Sequence, residues 1–264
     1  MDSCYFETLT ETAEYGRYRS GAATEGPWAP HLQHGGPPNA LVVAAAERLV
    51  AAETQRSDLL AMRIATDFVG PVPVVEIETH AKVVRAARGA VLAEVSLIAD
   101  DRQCLNSRVW LVRDSDTAHL AAPLEPKTEV PDIEPGLGID FGYGRSLEWR
   151  VTKGGLREQG PGATWVRAAT ALKDDHTLSG LQFAALVGDS ASGISSALDW
   201  SVWSFLNIDL DVHLARPVRG DWLFVDAATQ LGERGSALAR STLSDQYGLV
   251  GSTLQTLVVA PLRR

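Results

Sequence analysis

Asp189 stands in Phe183-Ala184-Ala185-Leu186-Val187-Gly188-Asp189-Ser190-Ala191, a helix-forming stretch whose apolar neighbours suggest burial. A carboxylate at the exposed edge of a helix is ordinary, whereas a buried one is costly unless it is paired or used. A used carboxylate can take a proton or attack an electrophile. A second feature lies far upstream, where His34-Gly35-Gly36 runs into Pro37-Pro38-Asn39 and then Ala40-Leu41-Val42-Val43-Ala44-Ala45-Ala46. Prolines fit the first turn of a helix, and a helix apolar on all sides is a buried one. Free N–H groups at a helix start carry the positive end of its dipole and suit an oxygen that gains negative charge. Paired glycines there let another group approach the backbone closely. Two amides complete the set: Asn207 in Asn207-Ile208-Asp209, and Gln255 in Ser252-Thr253-Leu254-Gln255. Taken singly, an asparagine can open a strand and a strand glutamine can face solvent.

An internal repeat supplies the elements that must position these residues. Shifted by 146 residues, the chain matches itself at ten of the 42 positions from 71 to 112 without a gap. The matches include Pro71-Val72 on Pro217-Val218, Arg88-Gly89 on Arg234-Gly235 and Leu111-Val112 on Leu257-Val258. Chance would give roughly three at ordinary residue frequencies. The sequence therefore divides into a first repeat, 1–118, a Pro-rich connector, 119–145, and a second repeat, 146–264. Each repeat opens with a strand or hairpin (Tyr5 to Arg19; Leu147 to Ala169) and continues into an apolar helix. Strands of period two follow: Val74 to Val84, Ala90 to Ala99 and Asn106 to Arg113, then Trp222 to Leu231, Ser236 to Ser244 and Leu249 to Val259. A buried helix followed by an antiparallel meander means a sheet wrapped around a helix, an α+β fold.

The same shift shows where the repeats differ. His34-Gly35-Gly36 falls opposite Gly180-Leu181-Gln182, and Asp189 opposite Val43 if no gap intervenes; Asn207 falls opposite Ala61 and Gln255 opposite Val109. The glycine pair thus belongs to one repeat and the polar side chains to the other.

Composition narrows the function. The chain has 264 residues, 45% apolar and 22% charged, with 24 Lys plus Arg against 33 Asp plus Glu. That is an ordinary globular composition, and its net charge of −9 speaks against a general nucleic-acid binder. No apolar run approaches the roughly 18 residues of a membrane span. Met1-Asp2-Ser3-Cys4 lacks the pattern of a signal sequence, and two cysteines make no disulfide framework, so a cytoplasmic protein is expected. There is no Walker loop and no HExxH, and Gly136-Leu137-Gly138 lacks the third glycine of a dinucleotide fingerprint. The six histidines form no metal-ligand spacing. Gly188-Asp189-Ser190-Ala191-Ser192 misses the nucleophile elbow because Ser192 replaces its second glycine.

His34-Gly35-Gly36 ahead of an apolar helix, in a chain with two such units, resembles the double-hotdog acyl-CoA thioesterase II (TesB-like) family. The resemblance implies two tandem hotdog repeats, hydrolysis of acyl-CoA to acid and CoA, no further cofactor, and a homo-oligomer. It also implies that Asp189 is the base, with Gln255 and Asn207 holding the attacking water; the family has a Thr or Ser where this chain has Asn207. His34, Gly35 and Gly36 would bind substrate, the thioester carbonyl resting on the Gly36 N–H with or without Gly35. A covalent anhydride on Asp189 is the other mechanistic route. Two rival readings accompany this one. A hotdog hydratase needs a histidine five residues after its aspartate, where Ile194 stands. A silent acyl-CoA-binding module needs no catalysis at all. Lys82, Arg85, Arg88, Arg216 and Arg219 are the candidates for the CoA phosphates.

Overall fold

The computed structural model describes residues 4–29, 31–121, 129–156, 158–174 and 177–262; connector residues 122–128 lie outside these. The first half contains β1 (Cys4–Glu11), β2 (Tyr15–Ser20), α1 (Gly36–Thr54), β3 (Leu59–Phe68), β4 (Glu76–Ala86), β5 (Ala90–Ala99) and β6 (Arg102–Arg113). A short helix, α2 (Gly142–Arg145), lies late in the connector. The second half contains β7 (Leu147–Lys153), β8 (Gly162–Ala168), β9 (Ala171–Lys173), α3 (Gly180–Gly188), α4 (Ala191–Ile194) and β10 (Trp203–Asn207). It ends with β11 (Asp209–Leu214), β12 (Trp222–Leu231), β13 (Ser236–Asp245) and β14 (Gly248–Pro261).

All strands join one sheet in the order β7-β8-β12-β13-β14-β11-β3-β6-β5-β4-β2-β1-β9, with β10 beside β14. Apart from β9 the order is a palindrome about the β11–β3 pair, where Val212 faces Ile64 in antiparallel register. That pairing makes two similar half-sheets into one. Each half wraps a helix: α1 packs on β3 to β6, and α3 with α4 lies against β8, β11, β12 and β13. This is the double-hotdog arrangement. The alternating buried and exposed residues of β13 are what a sheet with one covered face requires.

The repeat offset survives in the pairing register. Ala61 faces Leu111 and Thr66 faces Ser107; Asn207 faces Leu257 and Val212 faces Thr253, each partner 146 residues later. Even the irregularities repeat. The ladder shifts between Leu97 and Ile98 and again between Leu243 and Ser244. The break between β10 and β11 at Ile208 likewise answers the shift around Met62.

Two expectations about the second helix are corrected. Gly180-Leu181-Gln182 is the first turn of α3 itself, capped by Ser179, whose hydroxyl receives the Gln182 N–H while the Gln182 side chain receives the Ser179 N–H. The helix then stops at Gly188, and Asp189 is its C-terminal cap. The caps Gly35 and Ser179 are 144 residues apart, so Asp189 corresponds to Ala45 and not to Val43. A gap between helix and strands absorbs the difference.

Among the described residues no helix is long and apolar enough to cross a membrane.

Candidate active site

The antiparallel contact of α1 with α3 brings the start of one helix to the end of the other. A Cβ built on Gly36 would lie 2.1 Å from the Leu186 carbonyl oxygen, so only glycine lets the helices meet this closely. A Cβ on Gly35 would lie 2.7 and 2.8 Å from the two Asp189 carboxylate oxygens. The glycine pair of one repeat and the carboxylate of the other thus form one site. Gly188 instead lets α3 lie close on the sheet, since its Cβ would press to 2.8 Å from Thr253 Cγ2.

Asp189 is 6% exposed and held on several sides. Asn207 Nδ2 donates to Oδ1 at 2.7 Å. Gln255 Nε2 donates to the Asp189 carbonyl at 3.1 Å and to Oδ1 at 3.3 Å. Gln255 is fully buried, and its Oε1 receives the Ser192 N–H at 3.2 Å. The amides therefore grip the carboxylate and the turn that carries it. Gln255 faces no solvent. Asn207 closes β10 at the break before β11 and does not open a strand.

His34 reaches the same carboxylate, its Nδ1 lying 3.0 Å from Asp189 Oδ2. The Gly36 N–H also donates to Nδ1, at 3.1 Å. Pro37 and Pro38 have no N–H, so the first turn of α1 offers few free donors. With Gly36 engaged, the Gly35 N–H is the donor at this helix start that has no partner among the described residues. The imidazole stacks on Tyr143 with centroids 3.8 Å apart and 8° between planes. Tyr143 is buried, and its hydroxyl donates to the Leu186 carbonyl at 2.7 Å and meets Ser190 Oγ at 2.9 Å. Burial pushes its phenol well above the ordinary value of 10, so it stays a neutral donor.

These groups edge a cavity of about 600 Å³. Its walls are largely apolar, with Trp28, Phe141, Trp149, Leu156, Trp200 and Phe205 among them. Trp28 stacks on Trp200 at 5.1 Å, and Phe205 stands edge-on to both. Sequence reasoning missed this lining. Phe141 and Tyr143 follow the Pro-rich run within the connector, where two aromatics are the signal that the segment is buried. Of the basic candidates, Arg216 is committed to Asp245 by two 2.6 Å bonds and Lys82 to Glu94. Among the described residues no group of three His, Cys, Asp or Glu side chains could hold a metal.

A counterpart cleft of about 340 Å³ lies at the other end of the α1–α3 contact, lined by Glu47, Leu60, Ala61, Ser179 and Pro217. These match Leu206, Asn207, Gly35 and Pro71 of the larger cavity at all but Glu47. Glu47 accepts from Ser179 Oγ at 2.7 Å and from Gln182 Nε2 at 2.5 Å. Glu47 thus reaches the cap of α3, although Ala45, the residue that corresponds to Asp189, carries no carboxylate. The amides are absent, being Ala61 and Val109 there.

Two hotdog units sharing one sheet, with a glycine helix start from one facing a carboxylate from the other, define the double-hotdog class. Residues 24–112 match the acyl-CoA thioesterase N-terminal domain and residues 116–259 its C-terminal domain. The chain belongs to the acyl-CoA thioesterase family, and its class is that of a thioester hydrolase. It is similar in fold to a candidate thioesterase of Novosphingobium aromaticivorans (TM-score 0.76, 19% identity, 95% of this chain and 97% of that one). It is also similar to an acyl-CoA thioesterase II of Mycobacterium marinum (0.72, 15%, 97% and 95%). A hot dog protein of Alicyclobacillus acidocaldarius is alike too (0.73, 14%, 97% and 96%). No curated protein sequence matches the chain.

Proposed function

We propose that the chain hydrolyses acyl-CoA thioesters in the large cleft, with Asp189 as the base that activates water. The observation that carries this reading is the contact of Gly35 with the Asp189 carboxylate. A base and a free backbone donor stand side by side at the mouth of an apolar cavity fit for an acyl chain. The Gly35 N–H, at the positive end of α1, receives the carbonyl oxygen as its charge develops. Gly36 supports this through packing, since its N–H belongs to His34. Asn207 and Gln255 fix the carboxylate and leave Oδ2 as the oxygen that takes the proton. Water attacks the thioester carbon and its proton passes to Asp189; the C–S bond then breaks as that proton goes to sulfur, giving the acid and CoA.

The test is release of free thiol from acyl-CoA substrates of graded chain length. Asp189→Asn keeps the shape but removes the proton acceptor, and kcat is expected to fall about a hundredfold or more. Wild-type turnover in that variant would sink the assignment. Binding of acyl-CoA without any thiol release by the native protein would instead favour a silent binding module.

A further inference from the structure

The cavity wall beyond Asp189 holds a glycine that neither its backbone nor its packing requires. Gly193 lies within α4 and has no positive φ. Every residue adopts that helical conformation, and glycine is among the least favourable choices for it. A Cβ built on Gly193 meets no backbone: its nearest neighbours are Leu156 Cδ2 at 3.2 Å and the Trp200 ring at 3.8 and 3.9 Å. At Gly36, by contrast, the same atom strikes a carbonyl oxygen. Gly193, Leu156 and Trp200 all line the large cavity, so the missing side chain leaves cavity space between the other two. The far wall of that space is fixed. Trp200 donates its indole N–H to Ser196 Oγ at 3.0 Å and stacks on Trp28.

Asp189 and Ser190 keep right-handed helical dihedrals between α3 and α4. Gly193 therefore follows Asp189 by about one turn, roughly 6 Å along the axis, and faces the same side. An extended acyl chain gains roughly 1.3 Å per bond, so about five carbons carry it from a carbonyl beside Asp189 to Gly193. The repeat supplies the filled version of this wall. Counted from the helix caps, which are 144 residues apart, Gly193 corresponds to Leu49 of α1, a side chain wholly buried in the core. The cleft on that side is the smaller one, about 340 Å³ against 600 Å³. We infer that Gly193 is a specificity-determining residue: it opens the cavity between Leu156 and Trp200 and admits straight aliphatic acyl chains longer than about five carbons. This rests on the reading of the large cleft as the acyl site.

Gly193→Leu gives the second repeat the residue that the first repeat carries. The readout is the ratio of kcat/KM for dodecanoyl-CoA to that for butyryl-CoA, because a variant that merely folds badly loses both rates together. In Gly193→Leu this ratio is expected to fall at least about thirtyfold, several buried methylenes being worth about fourfold each. Gly193→Ala adds one carbon beside the movable end of Leu156, so it serves if the leucine variant does not fold, and there the ratio is expected to fall about threefold to tenfold. A ratio unchanged in the folded variants would overturn the inference. Binding is read apart from catalysis with S-dodecyl-CoA and S-butyl-CoA, thioethers that cannot be hydrolysed. By calorimetry the native chain is expected to bind the dodecyl compound at least about thirtyfold more tightly, and Gly193→Leu to lose most of that preference. Equal affinity of the native chain for both thioethers would overturn the inference. A length preference in binding that disappears in Gly193→Leu, with no thiol released from any acyl-CoA, would uphold Gly193 and remove only the hydrolytic reading beneath it.

Discussion

The two oxygens of Asp189 live in different surroundings, and that division sets what its neighbours can be asked to do. Oδ1 takes N–H groups from Asn207 and Gln255, while Oδ2 looks to His34, and both oxygens lie against Gly35. Truncating Gln255 to alanine frees the turn at Asp189 and leaves the Ser192 N–H without its acceptor. An unsatisfied buried group costs on the order of 1–3 kcal/mol, so the melting temperature should fall. If Gln255 acts by holding the carboxylate proposed above as the base, kcat should fall more than tenfold with KM little changed. Steady-state kinetics on folded variant check this; a rise in KM alone would place Gln255 in substrate binding. Gly35→Ala should be as damaging, since the added methyl meets both carboxylate oxygens under 3 Å. Wild-type kcat in Gly35→Ala would mean the carboxylate can retreat without consequence.

At the scale of elements, the contact between α1 and α3 governs both clefts. Gly36→Ala strikes the Leu186 backbone, which cannot swing aside as a side chain can. Its effect should appear as lost stability, about 2 kcal/mol or more for overpacking, and activity should fail with the fold. Glu47, at the other end of this contact, predicts a pH effect. Loss of solvent pushes its carboxyl above the ordinary 4.5, against the pull of the Ser179 and Gln182 hydrogen bonds. A carboxyl raised by folding holds its proton more tightly in the native state. The native protein therefore loses stability relative to a neutral side chain as pH climbs through and above 4.5. Glu47→Gln should close on, or overtake, the native melting temperature between pH 5 and pH 8. A gap independent of pH would show that Glu47 does not titrate across folding. Much of this element-level arrangement was legible and some was not. The all-apolar run from Ala40 to Ala46 announced a buried helix, whereas the true start of α3 went unread although Ser179 and Gln182 carry a capping-box spacing. Asp189 as a cap was hidden, because the groups that hold it there, Asn207 and Gln255, come from distant strands. The reach of Glu47 was hidden likewise, since it depends on the crossing of two helices.

Over the whole molecule the repeat was visible because strand register tolerates no slip when one face is buried, so the 146-residue offset was preserved through both meanders. Helix starts have no such lock, which is why the offset changes to 144 there. What the repeat could not reveal is how the halves are joined. They share the β3–β11 ladder, the α1–α3 contact and the parallel pairing of β1 with β9. One hydrophobic cluster runs through residues of both, from Tyr5, Leu41 and Ile64 to Leu186, Val212 and Leu243. Tyr143, from the segment between them, roofs the ring of His34. Neither half has a free face on which to stand alone, so they should unfold together. Tryptophan fluorescence, weighted by the buried Trp149 and Trp165 of the second half, and far-ultraviolet circular dichroism, which averages both halves, should give coincident urea transitions. Leu41→Ala and Leu186→Ala, one from each helix, should each cost about 2–5 kcal/mol and shift that single transition without splitting it. Two separated transitions, each moved by only one of these variants, would show that the repeats are independent domains and that the site between them is a loose joint.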